Sequence, residues 1–154
     1  MSSNLALARI FWEMAEATLY LGEGEFVARA YRTAYEIIKN FPGDIREFYE
    51  KEGKEGLLSI KGIGPAIAGK IAEYIETGEI KKHAELMAAV PPGAMELMRI
   101  RGIGPATARR LYEELGIKGA EDLRRALSEG RLEGVHGFGS ARIEALKRAL
   151  GLKA

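Results

Sequence analysis

Apolar side chains recur every three or four residues along most of the chain, which is the spacing of amphipathic α-helices. In the first predicted helix they fall at Leu5, Ala8, Phe11, Trp12, Ala15 and Leu19. Helices are predicted over residues 4–21, 25–40, 45–53, 67–77, 81–90, 107–115 and 142–150, with another beginning within 119–122. No segment alternates apolar and polar residues as a half-buried strand does. The chain is therefore predicted to be all-α.

One short pattern occurs three times between the predicted helices. It reads apolar–x–Gly–apolar–Gly–Pro or Ser–Ala, at 60–66, 100–106 and 135–141. Two glycines separated by one residue permit a tight turn whose backbone a ligand can approach. We expect the apolar residue between the glycines to enter the core. Pro65 and Pro105 suit the first helical position, because a proline there loses no hydrogen bond.

Such a turn leaves amide N–H groups free at the start of a helix, and these groups bind anions. A single Gly-x-Gly is most often only a turn, and a dinucleotide-binding fingerprint is excluded because no convincing strand precedes the motif. Three copies, each followed by a helix, indicate a ligand with several phosphates, and nucleic acid is the commonest such ligand. We expect Gly64 and Gly104 to need backbone angles closed to other residues, and a bulky side chain there to block the phosphate.

A Pro-Pro-Gly break at 91–93 divides the chain into two predicted helical subdomains, 1–90 and 91–154. Cysteine is absent, which excludes disulfides, thiol nucleophiles and zinc–thiolate sites. No apolar run is long enough to span a membrane, and the first residues lack the pattern of a signal peptide. We therefore expect a cytoplasmic protein with no membrane partner. We also expect it to be a monomer.

The charges nearly cancel, with 23 basic and 22 acidic residues. Non-specific nucleic-acid binders usually carry a basic excess, so binding requires that the charges be segregated. Basic residues do gather around the repeats, at Lys61, Lys70, Arg99, Arg101, Arg109, Arg110 and Arg142. Acidic residues gather at 47–55 and 121–122. This distribution predicts one positive face.

The repeats resemble helix-hairpin-helix motifs, which grip the sugar–phosphate backbone of DNA through hairpin amides. The likeness extends in order along the chain, over 26–34, 58–71, 77–80, 90–93 and 101–117, to the N-terminal region of family-X DNA polymerases of the bacterial and archaeal type. It implies tandem helix-hairpin-helix modules, with a lyase-like domain over 1–90 and a DNA-binding subdomain over 91–154. The chain is similar to a fragment or an engineered version of that region. Because no closely spaced aspartate pair is present for two metals, no polymerase activity is expected.

The resemblance implies binding to the backbone of duplex, gapped or nicked DNA whatever its base sequence. The implied contact residues are Lys61, Gly62, Gly64, Ala66, Arg101, Gly102, Gly104, Ala106, Arg109, Gly137, Gly139, Ala141, Lys82 and Arg32. Family hairpins also hold a monovalent cation, Na⁺ or K⁺, which bridges to a phosphate. The matching backbone carbonyls are those of Ile60, Ile63, Ile100 and Ile103. No divalent metal is expected, because no suitable acidic cluster exists and His83 and His136 stand apart from any cluster of carboxylates or cysteines.

Two other hypotheses stay open. The resemblance implies an abasic-site or 5′-deoxyribose-phosphate lyase of DNA repair, in which a lysine amine forms a Schiff base with the opened sugar. Lys70 matches that lysine, and Tyr31 matches a tyrosine of the same site. In animal members of the family, basic residues that hold the 5′-phosphate stand at the positions of Phe26, Val27 and Ala66. The present chain has no basic residue at these three positions. The third hypothesis is an engineered helical scaffold for protein contacts.

Overall fold

The computed structural model describes residues 3–153. Within this range the chain forms nine α-helices and no strand, so the all-α prediction is confirmed. The helices are α1 (Ser3–Leu21), α2 (Glu25–Lys39), α3 (Ile45–Leu58), α4 (Pro65–Thr77), α5 (Lys81–Ala89), α6 (Pro92–Met98), α7 (Pro105–Arg109), α8 (Ala120–Ser128) and α9 (Ser140–Ala149). None of them is both long enough and apolar enough to cross a lipid bilayer.

The chain folds as two compact units that divide between Ala89 and Val90. The first unit holds α1 to α5 and the turn at 60–66, called hairpin 1 below. The second holds α6 to α9 with hairpin 2 (100–106) and hairpin 3 (135–141). The sequence-based boundary at 90/91 lies one residue further along. Two consecutive prolines follow the division, and α6 begins at the second of them, Pro92, because proline suits the first turn of a helix but cannot extend the preceding one.

The central helix of the first unit is α1, which packs on α2, α3 and α5. Leu7, Phe11 and Met14 are completely buried along it. Of the predicted apolar stripe, Phe11 lies in this core, whereas Leu5 is 55% exposed, so the prediction is wrong at that position.

The hydroxyl of Thr18 is buried on the same helix and has no hydrogen-bond partner in the described residues. The other polar side chains buried on this helix are paired with residues of other elements. The side-chain oxygen of Asn4, for example, accepts a hydrogen bond at 2.9 Å from the backbone N–H of Ile45, so it fixes the start of α3 against α1.

Helix α3 differs from the prediction at its C-terminal end. The expected helix stops at Gly53, whereas α3 continues to Leu58 across an interruption at Gly53, where φ is 68°. This left-handed angle, which glycine adopts without a Cβ clash, bends the chain. The following turn buries Leu57 and brings the backbone to hairpin 1. The sequence signal for a break was therefore correct in position, but the helix resumes after it.

In the second unit, α7 continues directly into a π-helical turn, Arg110–Glu114. The N–H of Leu115 donates to the carbonyl of Arg110, five residues earlier, at 3.1 Å, which is the wider π-helical pattern. The turn places Leu111 in the core, where it is fully buried with Leu97 and Leu123. The prediction of one regular α-helix over 107–115 is thus replaced by an α-helix with a π-helical end.

Candidate nucleic-acid interface

The three hairpins are built in the same way. In each, the N–H of the residue between the glycines donates to the carbonyl of the apolar residue three positions earlier. The distances are 3.0 Å from Ile63 to Ile60, 3.1 Å from Ile103 to Ile100 and 3.0 Å from Phe138 to Val135. The three donor residues are buried, which confirms that this position enters the core. A backbone bond and a buried side chain therefore hold each turn.

The first glycine of each hairpin has a positive φ angle, 98° at Gly62, 97° at Gly102 and 89° at Gly137. Residues with a Cβ rarely adopt these angles. Packing adds a second restriction, because a Cβ would lie 2.8 Å from the Cδ1 atom of Ile37 at Gly62 and 2.9 Å from a guanidinium nitrogen of Arg110 at Gly137. The first glycine is therefore required by the turn itself.

The second glycine serves a different purpose. Gly64, Gly104 and Gly139 cap their helices with φ angles of −93°, −94° and −73°, which any residue adopts. The expectation that Gly64 and Gly104 need special backbone angles is wrong, since that requirement falls on the first glycine. A Cβ at any of the three caps would meet no atom within 4 Å. These positions face open space, and no side chain caps the helices that they start, so their first amides are available to a ligand.

Two other helices of the same chain begin differently. At α3 the carboxylate of Asp44 accepts a hydrogen bond from the N–H of Arg46 at 2.8 Å. At α8 the carboxylate of Glu96 accepts one from the N–H of Ala120 at 2.6 Å. In both places an internal anion occupies the position that an external anion would favour. Among the described residues, no side chain forms a cap hydrogen bond at the start of α4, α7 or α9.

The residues beside the glycines leave the hairpins accessible. The position before the first glycine is exposed in all three copies, at Lys61, Arg101 and His136. The second helical position is an exposed alanine in all three, at Ala66, Ala106 and Ala141. A methyl group there does not cover the amides. The structure thus brings the predicted contact residues of each hairpin together on an exposed turn.

The predicted contact residues outside the hairpins differ from one another in exposure and in ion pairing. Arg32 is half exposed, with 51% of its side chain accessible, and its guanidinium lies 2.6 Å from the buried carboxylate of Glu16. Arg109 forms an ion pair at 3.3 Å with Glu113 one helical turn away. Lys82 is half-buried on α5. The charge of Arg32 therefore serves the fold of the first unit, whatever its role toward a ligand.

The two residues of the lyase hypothesis lie in different surroundings. Lys70 is half-buried in the second turn of α4, and within residues 3–153 its amine has no hydrogen-bond or ion-pair partner. Tyr31 is buried, with its ring centroid 6.2 Å from that of Phe11. Burial and, to a lesser degree, the negative charge of Glu23 raise the pKa of the Tyr31 hydroxyl. Tyr31 is thus a neutral residue of the core between α1 and α2.

His83 forms a pair with one carboxylate that the sequence did not indicate. Its Nε2 atom lies 2.8 Å from a carboxylate oxygen of Glu13, and both side chains are largely buried between α1 and α5. The two residues are 70 positions apart, so no local pattern could show the pair. Over the described part of the chain, no group of three or more histidines and acidic residues could hold a metal ion.

One arginine of the expected positive face turns inward onto the hairpins. Arg142 donates from Nη1 to the carbonyl of Gly137 at 3.3 Å, and from Nη2 to the carbonyl of Gly102 at 3.3 Å. The same Nη2 donates to the hydroxyl of Thr107 at 2.9 Å. Arg142 therefore links hairpins 2 and 3. Only its position, directly after hairpin 3, was visible in the sequence.

A second arginine of that face has a similar position. Arg110 donates a hydrogen bond to the carbonyl of His136 in hairpin 3. Its guanidinium carbon lies 5.6 Å from the ring centroid of Phe138, and that of Arg142 lies 5.1 Å from it. Cations at this distance interact favourably with an aromatic ring. Two of the arginines that the sequence assigned to a positive face thus hold the backbone of hairpin 3.

Comparison with known proteins agrees with this geometry. The family model described as "Helix-hairpin-helix domain" matches residues 2–80, and one described as "SAM-like Helix-hairpin-helix tandem" matches residues 94–152. The chain is 30% identical over 130 residues, 84% of its length, to the N-terminal region of "DNA polymerase/3'-5' exonuclease PolX" of Bacillus subtilis (strain 168). It spans only 22% of that protein. The resemblance to the N-terminal region of a family-X polymerase is confirmed, and the chain belongs to the helix-hairpin-helix domain family.

Proposed function

We propose that this protein binds the backbone of DNA through its three hairpins, independently of base sequence. The observation that carries the proposal is the open cap glycine. Gly64, Gly104 and Gly139 each begin a helix with no atom within 4 Å of the place where a side chain would stand. A phosphate oxygen can therefore approach the first amides of each helix, where backbone N–H groups and the helix dipole favour an anion.

The comparisons support DNA as the source of the phosphates. The matched polymerase is a protein that acts on DNA by its name. The match spans 130 residues of the chain and therefore extends into both units. Backbone amides contact phosphates and carry no information about bases, because bases are distinguished at their edges in the grooves. We infer a monomer that binds duplex DNA, including gapped and nicked forms.

Salt and sequence dependence test the proposal. If two to four phosphates are contacted, the slope of log K against log salt should be about −2 to −4. Two duplexes of equal length and different sequence should bind alike. The matched control is a triple variant, Gly64→Val, Gly104→Val and Gly139→Val, which keeps the charge and fills the open cap positions. A strong preference for one sequence, or equal binding by the triple variant, would exclude hairpin amides as the site.

We also propose that each of hairpins 1 and 2 binds its own monovalent cation, which bridges that hairpin to a DNA phosphate. The carbonyls of Ile60 and Ile100 already accept the turn bonds described above, at 3.0 and 3.1 Å. A carbonyl oxygen has a second lone pair, so these atoms fit a cation ligand together with the carbonyls of Ile63 and Ile103. When bound, Na⁺ or K⁺ would supply positive charge next to a phosphate.

A lyase activity is the second candidate, and one observation favours it. The amine of Lys70 is half-buried beside hairpin 1 on α4 and is paired with no carboxylate in the described residues. An unpaired lysine near bound DNA meets a first requirement of Schiff-base chemistry. In that reaction the amine attacks the aldehyde of the opened sugar and water leaves. In the elimination that follows, water takes a proton from the sugar carbon next to the imine, the carbon–oxygen bond to the phosphate breaks and the phosphate leaves. A second water then hydrolyses the imine and releases the amine. The trapping experiment given in the Discussion tests this candidate.

The scaffold hypothesis makes the opposite prediction to the first proposal. Helices that serve only protein contacts need no open amides at three turns. Such a protein would show no salt-dependent DNA binding, and its affinity for a duplex would not respond to the cap substitutions. The same titration therefore separates the two hypotheses.

A further inference from the structure

Hairpins 2 and 3 correspond position by position, and one guanidinium joins their matching atoms. Gly102 and Gly137 are the first glycines of the two turns, and Arg142 donates to the carbonyl of each at 3.3 Å. Thr107 and Arg142 are both the third residue of the helix after their hairpin, and their side chains are joined at 2.9 Å. One side chain thus contacts both turns and the start of α7.

The two hairpins also pack on each other's second helix. A Cβ at Gly102 would lie 3.7 Å from the Cδ2 atom of Leu146 in α9. A Cβ at Gly137 would lie 2.9 Å from a guanidinium nitrogen of Arg110, in the π-helical end of α7. A shift of one turn therefore displaces the contacts of the other. Arg142 lies where these reciprocal contacts meet.

The charge of Arg142 is not neutralised by the protein. The side chain is half-buried, its three acceptors are uncharged oxygens, and within the described residues no carboxylate pairs with it. A partly buried cation without a counter-ion is costly for folding alone. Its planar fork matches several fixed acceptors at once, which the single ammonium of lysine cannot do. This arrangement fits a residue that sets geometry beside an anion site.

We propose that Arg142 is a positioning residue that holds hairpins 2 and 3 at a fixed separation, so that both turns bind phosphates of one DNA duplex together. The inference rests on the proposed DNA binding. Once one of two rigidly joined sites is bound, the second binds at a high effective concentration. The contribution of each hairpin then depends on the other. Without Arg142 the two turns contribute almost independently.

The test measures how much Gly139→Val weakens the binding of a short duplex in two backgrounds. In the parent we expect a loss of about tenfold, because both the contact and its coupling disappear. In Arg142→Met the same change should cost only about twofold, because the coupling is already lost. A purely structural role for Arg142 would lower the folded fraction and leave the effect of Gly139→Val unchanged. Circular dichroism measures that fraction directly.

Two further variants complete the design. Arg148→Met removes an exposed charge from the same helix, and Gly139→Val should keep its full effect there. Arg142→Lys keeps the charge but lacks the two separate guanidinium nitrogens that reach the two turns, so it should resemble Arg142→Met. Equal costs of Gly139→Val in the parent and in Arg142→Met, or full rescue by lysine, would overturn the positioning role while leaving DNA binding intact. A parent that binds no duplex would overturn the proposed function, and this role with it.

Discussion

The carboxylate of Glu16 and the guanidinium of Arg32 lie 2.6 Å apart, and the two groups differ sharply in exposure. Glu16 is buried on α1, whereas about half of the Arg32 side chain is accessible on α2. The α1 helix is the central helix of the first unit and contributes fully buried side chains to its core. The pair therefore supplies the counter-charge that allows a carboxylate to lie in that core.

Replacing Arg32 by alanine should destabilise the first unit. The change leaves a buried carboxylate without its partner, at a cost of about 1–3 kcal/mol, and the free energy of unfolding in urea measures it. Arg29→Ala removes an exposed arginine from the same helix and should change stability little. Restoration of part of the loss by Glu16→Gln in the Arg32→Ala background would identify the ion pair as the cause. Equal stability of Arg32→Ala and the parent would contradict this role.

Substitutions at the two glycines of a hairpin should have separate effects. Gly62→Val forces a β-branched residue to a φ of 98° and against Ile37, so we expect a loss of about 1–3 kcal/mol of stability. Gly64→Val meets neither restriction and should leave the thermal midpoint near that of the parent, while DNA affinity falls several-fold. The same contrast is expected between Gly102 and Gly104. Loss of folding in Gly64→Val would show that the cap position is not open.

The proposed lyase activity is tested by trapping the covalent adduct between the protein and DNA. Incubation with an incised abasic duplex and borohydride should trap a protein–DNA complex, which a denaturing gel resolves. Lys70→Arg is the sharpest variant, because it keeps a positive charge beside hairpin 1 and cannot form the Schiff base. It should lose most of the adduct, with a residual background from Lys61 and Lys82. A yield equal to that of the parent would end the assignment of Lys70.

Monovalent cations should matter for affinity beyond ionic strength. Replacing Na⁺ or K⁺ by tetramethylammonium at constant ionic strength removes an ion small enough for the carbonyls of Ile60 and Ile63, and DNA binding should weaken several-fold. The triple cap variant controls for the general effect of the salt. If the affinity of the parent is the same in both salts, the hairpins bind phosphate without a cation.

The raised pKa of Tyr31 predicts a loss of stability in alkali. Burial keeps the hydroxyl neutral in the folded state, whereas in the unfolded chain it ionises near its ordinary pKa of about 10. Its contribution is complete below that pH and is lost as the pH rises through the folded-state pKa. Above a pH of about 10, the free energy of unfolding of the parent should therefore fall more steeply than that of the Tyr31→Phe variant. Parallel urea midpoints from neutral to alkaline pH would contradict the burial argument.

Much of the architecture could be predicted before any contact was known. Apolar spacing located the helices, because the period of a helix is a local property of the chain. Repetition located the three turns, and proline marked the starts of α4 and α7. The division of labour between the glycines could not be predicted this way. Both are compatible with a tight turn, and only the folded backbone assigns the positive φ to Gly62 and the open cap to Gly64.

The sequence by itself determined the helical class, the triple repeat and the residues of each hairpin, since each of these follows from neighbours within a few positions. Tertiary structure decided which charged side chains contact other residues of the protein and which are accessible to a ligand. The partners Glu16–Arg32, Glu13–His83 and Gly102–Arg142 are separated by 16, 70 and 40 residues. A charged side chain has the same chemistry whether it meets solvent, a carboxylate or a carbonyl. Only the packing of distant helices selects among them, and it directed Arg142 to the hairpins.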